Sequence, residues 1–351
     1  MNNNKNLAFW GTEAPPYGGM SVHIQRLTQY LQNKEWKVIQ YNFKNDKRDK
    51  DYIINVPNLL IWYLGLWFRK SPKIHYVITT RGKIRFLASL LTLKRKKVIL
   101  RVGGESLKKA INNGGLDQLL NIWSLKLCSA FIGVNKDICL LAQQYTDSDK
   151  IHHIPGFIPP QNLREDAPKE INSFFKTDAL KLVVTGQVFG KSEKDIYGLY
   201  HFIDTLSVLK EKAFNFKAII VVYGNTKSNF DMNLNMFTNY LHKYELKDEV
   251  LIYINTDELW PIIKMSDVFI RPSISDGDAN SIREALYLGK MVIASDCVPR
   301  PHHCILYPNL DEIVLANEIS KLELKGKERE KEDGNQKKIE RLLENLVSIR
   351  R

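Results

Sequence analysis

The residues best suited to chemistry lie in one stretch of the chain, RPSISDGDANSIREALYLGKMVIASD, at residues 271–296. Asp276 and Asp278 flank Gly277, a helix is predicted to begin directly afterwards, and Glu284 falls in its predicted first turn. The glycine permits a close approach to the backbone, and the positive end of the helix dipole favours a phosphate. These features predict a ligand site at the start of this helix.

The same stretch has two simpler interpretations. Ser281 and Glu284 fit a capping box, in which the glutamate only satisfies backbone donors. Asp276 and Asp278 could hold a divalent cation, but they precede a helix and do not end an exposed strand, so a metal is disfavoured. Elsewhere, the paired histidines at 152–153 and 302–303 make poor joint ligands, because neighbouring side chains on a strand point to opposite faces. No metal site is predicted.

Two further loops could bind an anion. Gly18 and Gly19 lie between the first predicted strand and a helix, where backbone N–H groups can approach a phosphate, although a turn alone can require glycine. The full GxGxxG pattern is missing, which disfavours a dinucleotide oxidoreductase. Lys191 and Lys194 follow another predicted strand, where an ammonium group could meet a diphosphate or could simply be solvated.

Short apolar strands alternate with helix-length segments along the chain, a pattern typical of parallel βαβ units covered by helices on both faces. The pattern runs from NLAFWG to SAFIGVN, pauses at the proline- and charge-rich segment 159–170, and begins again at LKLVVTG. The sequence therefore predicts an α/β protein of two Rossmann-like domains that face a cleft, with a hinge near residues 156–170. The predicted domains are residues 1–158 and 159–310, followed by a helical tail at 311–351, whose C-terminal helix is expected to pack near the hinge or to cross toward the first domain.

Composition favours a cytoplasmic protein. The 351 residues are 44% hydrophobic, enough for a substantial core, and contain no apolar run of membrane-spanning length. The first residues lack the layout of a signal peptide. The four cysteines include no CxxC pair, which argues against a disulfide framework or a zinc site.

The charge is concentrated in one half of the chain. Residues 1–155 contain 24 basic and 10 acidic residues, a net charge of +14, whereas the remainder has a net charge of −2. A basic half of this kind favours binding to a polyanion, which could be nucleic acid, lipid headgroups or a phosphorylated acceptor. The same charge is also compatible with an ordinary solvated surface. The apolar segment LLIWYLGLWF, residues 59–68, is too short to span a bilayer and is either a buried helix or an interfacial patch. Its basic surroundings favour an anionic membrane surface.

The chain resembles the GT-B glycosyltransferases of the retaining family four (group 1) type, which build bacterial surface polysaccharides and glycolipids. The resemblance covers about residues 7–310 and is strongest in LVVTG…KDIYGL, IPGFIPP and DGDANSIREALYLGKMVIASD. That family carries two acidic residues eight positions apart, which match Asp276 and Glu284, followed by an alanine and a glycine that match Ala285 and Gly289.

The resemblance implies a role for each matching residue. Glu284 would accept hydrogen bonds from a ribose, Asp276 would meet hydroxyls of the donor sugar, and Lys194 would bind the phosphates, so that Asp276 and Lys194 are the candidate catalytic residues. The other implied donor-binding positions are Gly277, Asp278, Ala279, Asn280, Ser281, Gly18 and Gly19.

Three departures from the family pattern stand out. The first acidic residue is Asp276 where glutamate is commoner. The arginine beside the phosphate lysine is replaced by Gln187, and Lys191 or Arg101 could supply the missing charge. Gly103 and Gly104 stand where the family often has a histidine.

The implied activity is transfer of a sugar, with retention, from a nucleotide-sugar donor to a glycan or lipid-linked acceptor, without metal or other cofactor, at the cytoplasmic membrane face. A sugar-nucleotide epimerase of the same architecture is an alternative, and acceptor-free turnover would reveal it. A basic nucleic-acid-binding protein is another, which would show steep salt dependence. Nucleic acid is not expected, because no recognition motif accompanies the basic residues.

Overall fold

A computed structural model of the chain describes residues 5–12, 19–43, 50–103, 105–163, 166–189, 195–224, 229–277, 279–308, 310–322 and 334–348. The chain divides into two compact units. One comprises Met1–Gln161 with Gly334–Arg351, and the other Asn162–Asp333. Each unit contains a parallel sheet with apolar clusters on both faces. The predicted α/β class with two Rossmann-like domains is confirmed.

The first unit has a seven-stranded parallel sheet of order β3-β2-β1-β4-β5-β6-β7. Its strands are β1 (Asn6–Trp10), β2 (Lys37–Asn42), β3 (Ile53–Asn55), β4 (Ile74–Ile78), β5 (Lys97–Val102), β6 (Ala130–Gly133) and β7 (Ile151–His153). Its helices are α1 (Gly19–Gln32), α2 (Leu59–Phe68), α3 (Gly82–Leu90), α4 (Ser106–Asn113), α5 (Gly115–Leu127), α6 (Lys136–Gln143) and the C-terminal helix α13 (Gln336–Ser348).

Strand β1 shows why these strands read as continuous apolar runs. Leu7 and Phe9 pack into the cluster beneath α1 and α13, whereas Ala8 and Trp10 pack into the cluster beneath α2 to α6. A parallel sheet that is covered on both faces needs apolar side chains at consecutive positions.

The second unit has a six-stranded parallel sheet of order β10-β9-β8-β11-β12-β13. Its strands are β8 (Leu180–Gly186), β9 (Phe216–Val222), β10 (Val250–Ile254), β11 (Val268–Arg271), β12 (Met291–Ser295) and β13 (Ile305–Tyr307). Its helices are α7 (Lys169–Phe174), α8 (Leu199–Glu211), α9 (Phe230–Lys243), α10 (Trp260–Met265), α11 (Asn280–Tyr287) and α12 (Glu312–Ser320). The strand order reverses between β8 and β11, and open α/β sheets bind ligands at the carboxyl ends of the strands at such a switch point.

Residues 311–351, predicted as one helical tail, are divided between the two units. In α12, Leu315 and Ile319 are buried in the core of the second unit. In α13, Ile339 and Leu343 are buried in the core of the first unit. The burial of α13 in the first unit agrees with the expectation that the C-terminal helix packs near the hinge or crosses toward the first domain. The helical spacing did not show that α12 completes the core of the second unit.

The apolar segment 59–68 forms α2, which Asn58 caps by accepting from the backbone N–H groups of Leu60 and Ile61. Tyr63 faces the core, whereas four other apolar residues are 60–87% exposed: Leu60, Ile61, Leu64 and Phe68. The segment is therefore not a buried helix. In the part of the chain that the structure describes, no helix has the length and hydropathy needed to cross a bilayer.

Candidate functional site

The switch point of the second sheet is held together by an arginine at the end of β11. Arg271 donates from Nη1 to the carbonyl oxygen of Thr185 in β8, at 3.2 Å. Its guanidinium carbon also lies 5.1 Å from the centre of the Tyr197 ring, in the cation–π range. Arg271 thus links the exits of the two strands on either side of the switch point.

The carboxylate of Asp276 is shared by two arginines. Arg271 binds it with both Nε and Nη2, at 2.9 and 3.2 Å, and Arg300 donates to Oδ2 from Nη1 at 2.9 Å. Ser273 Oγ and the backbone N–H of Gly277 also donate to it, each at 3.0 Å. Because a carboxylate offers about four lone-pair positions, these five donors fill its acceptor capacity.

This cluster is buried and carries an excess of positive charge. The side chains of Arg271, Asp276 and Arg300 are 8%, 11% and 1% exposed. Burial opposes ionisation of Asp276, but the ion pairs and hydrogen bonds with Arg271 and Arg300 outweigh it and lower the pKa of the carboxyl to about 2. Asp276 is therefore ionised at neutral pH, and one positive charge of the two arginines remains unbalanced within the cluster.

Arg300 connects the loop after β12 to the loop between β11 and α11. Its Nε donates to the carbonyl oxygen of Ser295, and its Nη2 donates to Ser273 Oγ, each at 3.0 Å, and to Cys297 Sγ at 3.3 Å. Sequence reasoning assigned no role to Arg271 or Arg300. The available signal was that each begins an Arg-Pro pair at or just after the end of a strand, on two strands that are neighbours in the sheet.

Glu284 is not part of a capping box. Helix α11 begins at Asn280, its N-cap is Ala279, and no side chain caps it. Ser281 therefore lies within the helix, and Glu284 is the fifth helical residue, in the second turn and not in the first as predicted. The Glu284 side chain is buried, with the residue only 5% exposed. The capping interpretation therefore fails on geometry, and the buried Glu284 stays a candidate ligand contact by prediction.

The end of α11 explains the glycine of the motif. Gly289 has φ +72°, the left-handed conformation that glycine adopts without strain. Its N–H bonds to the carbonyl oxygen of Leu286, and the N–H of Lys290 bonds to that of Ala285, both at 2.9 Å. These two bonds form a Schellman motif, which ends the helix and directs the chain into β12.

The predicted site residues fall into three groups. The second unit brings together Asp276, Gly277, Ala279, Asn280, Ser281 and Glu284 around the start of α11. The first unit contains Gly19, the first residue of α1, and Arg101, a buried residue of β5. The remaining predicted residues lie outside the described part of the chain: Gly18, Lys191, Lys194 and Asp278.

Residues that follow Lys194 in the sequence pack against the loop after β11. The N–H of Ile274 bonds to the carbonyl oxygen of Ile196 at 3.0 Å. Gly198 has φ +69°, and a Cβ there would lie 1.9 Å from the carbonyl oxygen of Pro272. Asp195 accepts from the N–H of Tyr200 at 2.8 Å and so shapes the entry to α8. Residues 195–198 therefore pack against the loop after β11 at the switch point.

Among the described residues, no group of three or more histidine, cysteine, aspartate or glutamate side chains is arranged to hold a metal ion. Within the described part of the switch point, Arg271 and Arg300 supply guanidinium cations. Such donors can stabilise an anion at this edge of the sheet.

Comparison with solved structures shows a common fold at low sequence identity. HepE from Anabaena, solved in complex with UDP, superposes with a TM-score of 0.66 at 12% identity, over 90% of this chain and 89% of that one. Sucrose-phosphate synthase from Thermosynechococcus elongatus gives 0.65 at 14% identity, over 90% and 89%. A glycosyltransferase from Rickettsia africae gives 0.64 at 16% identity, over 98% and 93%. No curated protein matches the sequence.

A family model matches the sequence itself. The model for Glycosyl transferases group 1 covers residues 180–323, which include β8, the loop after it, the Asp276 cluster and all of α11. The matched region is thus the part of the chain that builds the switch point of the second sheet. Residues 180–323 thus match the model of the Glycosyl transferases group 1 family, and the chain as a whole has the GT-B fold.

Proposed function

We propose that this chain transfers a sugar from a nucleotide-sugar donor to a glycan or lipid-linked acceptor, with retention, in surface polysaccharide or glycolipid biosynthesis. The observation that carries the proposal is the switch point of the second unit, where the region matching the Glycosyl transferases group 1 model contains both the buried Glu284 and the Arg271–Asp276–Arg300 cluster. UDP is bound in the structure of HepE, which has the same fold. A nucleoside diphosphate is therefore the proposed ligand at the switch point of the second sheet.

The proposed chemistry requires stabilisation of the departing diphosphate. Negative charge grows on that group as the glycosidic bond to it breaks, and fixed cations and backbone donors stabilise such charge most effectively. We assign this role to Lys194, to the N-terminal end of α11 and to the surplus charge of the arginine cluster. In retaining transfer the leaving phosphate can itself take the acceptor proton, so no separate base is assigned, and no metal is required.

Asp276 has a structural role in this proposal before any role towards the sugar. Its five donors come from Arg271, Ser273, Gly277 and Arg300 and fix the course of the loop that leads into α11. A hydrogen bond to a sugar hydroxyl would have to replace one of them. Contact between Asp276 and the donor sugar stays a prediction from the family resemblance.

Isothermal titration of nucleoside diphosphates tests the donor site. Glu284→Gln removes a charged acceptor, a contact worth about 1.5–3 kcal/mol, and should weaken binding of the matching diphosphate by about tenfold or more. Glu312→Gln, in the first turn of α12, is the matched control and should leave the affinity unchanged. Equal affinity in wild type and Glu284→Gln would remove Glu284 from the site.

Turnover measurements test the transfer step. Lys194→Ala should lower kcat more than it weakens ground-state binding, because charge on the diphosphate increases towards the transition state. A screen of donors by thermal shift selects the substrate, since a ligand at 100 times its Kd adds about 2.7 kcal/mol of stability. Rapid conversion of the sugar nucleotide without any acceptor would contradict transfer and indicate an epimerase.

We further propose that the chain attaches peripherally to the cytoplasmic face of a membrane. The exposed apolar residues of α2 and the net charge of +14 in residues 1–155 support this attachment. Each well-placed basic residue contributes about 1 kcal/mol at an anionic surface. Sedimentation with anionic vesicles should therefore exceed sedimentation with neutral ones, and equal binding to both would remove the electrostatic part of the proposal.

A further inference from the structure

Helix α5 buries two polar side chains and exposes a stripe of apolar ones. Asn121 and Ser124 are fully buried, whereas Leu116, Leu119 and Trp123 are 66%, 54% and 52% exposed. The three exposed side chains recur at intervals of three and four residues and so form a stripe along one face of the helix. Lys126 extends this stripe, and its ammonium group lies 5.5 Å from the centre of the Trp123 ring.

The inward polar side of α5 is explained by its contact with α3. The buried guanidinium of Arg85 in α3 donates to Asn121 Oδ1 at 2.8 Å, and Ser89 Oγ donates to the carbonyl oxygen of Ser124 at 3.2 Å. Arg85 also donates twice to the carbonyl oxygen of Thr79, at 3.0 and 2.7 Å. Because this polar contact fixes the rotation of α5, the outward apolar stripe follows from the packing of the unit.

The stripe lies on the same side of the first sheet as α2. Residues of α2, α3 and α5 contribute to one core cluster, represented by Tyr63, Ile84 and Leu125. A cation–π contact connects α2 to the turn that follows α3, because Nζ of Lys94 in that turn lies 5.3 Å from the centre of the Trp67 ring in α2. The outer surface of this helix layer therefore carries exposed apolar side chains on both α2 and α5.

The charges on this layer are almost all positive. The three helices contain a single acidic residue, Asp117 at the start of α5. The exposed basic residues on these helices, or within a few residues of them, include Arg69, Lys70, Arg81, Lys83, Lys94, Arg95 and Lys126. A second copy of the chain would bring like charges together, whereas an anionic bilayer supplies the opposite charge and an apolar interior for the stripe.

We propose that the α5 stripe of Leu116, Leu119 and Trp123 inserts, together with α2, into the headgroup region of an anionic bilayer, a proposal that rests on the membrane attachment proposed above and extends it to a second helix. Lys126 then lies at the level of the lipid phosphates. Two separated helices restrain the tilt of the first unit on the bilayer, which a single helix such as α2 does not do.

The test is sedimentation of the full chain with vesicles of phosphatidylcholine alone or mixed with phosphatidylglycerol. Leu119→Ser/Trp123→Ser should lower the partition coefficient by at least about tenfold on both compositions, because two large apolar side chains no longer leave water. Met232→Ser/Met236→Ser changes two side chains of similar exposure on α9 of the second unit. This control should bind vesicles like the wild type.

Lys126→Glu provides a second variant that leaves the apolar stripe intact. It should weaken binding to the phosphatidylglycerol vesicles by roughly fivefold or more and change binding to neutral vesicles little. The thermal unfolding midpoint shows whether each variant is folded. If Leu119→Ser/Trp123→Ser does not fold, binding of Lys126→Glu to the phosphatidylglycerol vesicles tests the proposal.

Three results would overturn the proposal. Wild-type binding by the folded α5 variants would show that α5 lies outside the bilayer, although α2 could still attach. If the wild-type chain bound neither kind of vesicle, the membrane attachment would be overturned as well. Binding of UDP by the same chain would then show that the proposed donor site still stands. Conversion of a lipid-free dimer into a monomer by Leu119→Ser/Trp123→Ser would show that the stripe pairs with a second copy.

Discussion

At the scale of single residues, the geometry around α11 depends on one carboxylate shared by two buried arginines. Asp276→Asn keeps the shape of the side chain but removes the charge that balances Arg271 and Arg300. Removing one partner of a buried ion pair typically costs about 3–5 kcal/mol, because the remaining charge is left uncompensated. Urea unfolding of wild type and Asp276→Asn should show a loss of this size.

The control for this measurement is Glu318→Gln, which breaks a surface ion pair with the exposed Lys321. Exposed pairs contribute about 0–1 kcal/mol, so this variant should unfold close to the wild type. A loss for Asp276→Asn no larger than that of the control would mean that the arginine cluster does not stabilise the loop.

The same cluster predicts how stability changes in acid. The pKa of Asp276 is lowered from 3.8 to about 2 on folding, so its ionised form stabilises the native state above the unfolded pKa. This contribution, about 2 kcal/mol, is lost as the pH falls from about 4 to about 2. The free energy of unfolding should therefore decrease more steeply over this range in wild type than in Asp276→Asn. Parallel profiles would contradict an ionised Asp276 in the native state.

Sequence patterns pointed to Asp276 and Glu284 as candidates but not to Arg271 and Arg300, the two arginines that bind Asp276. Asp276 and Glu284 are recognisable by their spacing, whereas Arg300 reaches Asp276 from 24 residues further along the chain, after β12. Such contacts depend on which strands become neighbours. The position of Glu284 in the second turn of α11 was also missed, because the helix begins after Ala279, which has no capping side chain to mark the boundary.

At the scale of elements, two glycines should respond to the same substitution with opposite signs. Gly289→Ala places a side chain at φ +72° in the Schellman motif and should destabilise the protein by about 1–2 kcal/mol. Gly65→Ala lies within α2, where a Cβ would meet only the Arg69 side chain at ordinary contact distance. It should stabilise the protein by about 0.5–1 kcal/mol, because alanine loses less conformational freedom in a helix.

Thermal unfolding of the two alanine variants checks this pair. Stabilisation by Gly289→Ala would contradict the left-handed conformation at the end of α11. Destabilisation by Gly65→Ala would indicate that its position in α2 is crowded.

Most strands could be predicted from the sequence, because long apolar runs identify strands that are covered on both faces. The strands β3 and β13 were missed, and the segment around β7 was not separated from the loop that follows it. Each has only three residues, too few for a periodic pattern, and each lies at an edge of its sheet. Edge strands form through pairing with a neighbour, which the local sequence does not record.

At the scale of the whole molecule, α13 should control the stability of the first unit although it follows the second unit in the sequence. Leu343 is fully buried in the core of the first unit, and Leu343→Ala should cost about 2–5 kcal/mol there. Hydrogen exchange followed by mass spectrometry should show faster exchange in peptides from β1 and α1 and unchanged exchange in peptides from β8 and β9.

Leu315→Ala in α12 is the reciprocal control, because Leu315 is fully buried in the core of the second unit. It should accelerate exchange in β8 and β9 and leave β1 and α1 unchanged. Faster exchange in both units for either variant would show that the two units unfold together.

The proposed mechanism needs no catalytic metal, and this can be tested on the activity of the whole chain. Transfer from the identified donor should proceed at the same rate after dialysis against EDTA, since the arginine cluster, Lys194 and α11 are proposed to stabilise the leaving diphosphate. Restoration of a lost rate by Mg²⁺ or Mn²⁺ would contradict this mechanism.

The return of α13 to the first unit has a consequence for how the protein is made. The ribosome synthesises residues 162–333 before residues 334–348. The first unit therefore lacks the helix that covers part of its core until the whole second unit has been translated. Domains usually fold in the order of their synthesis. In this chain the second unit can complete its fold first, and until α13 arrives the nascent first unit exposes the apolar surface that α13 later covers. Binding by a chaperone should therefore be strongest while residues 162–333 are being translated.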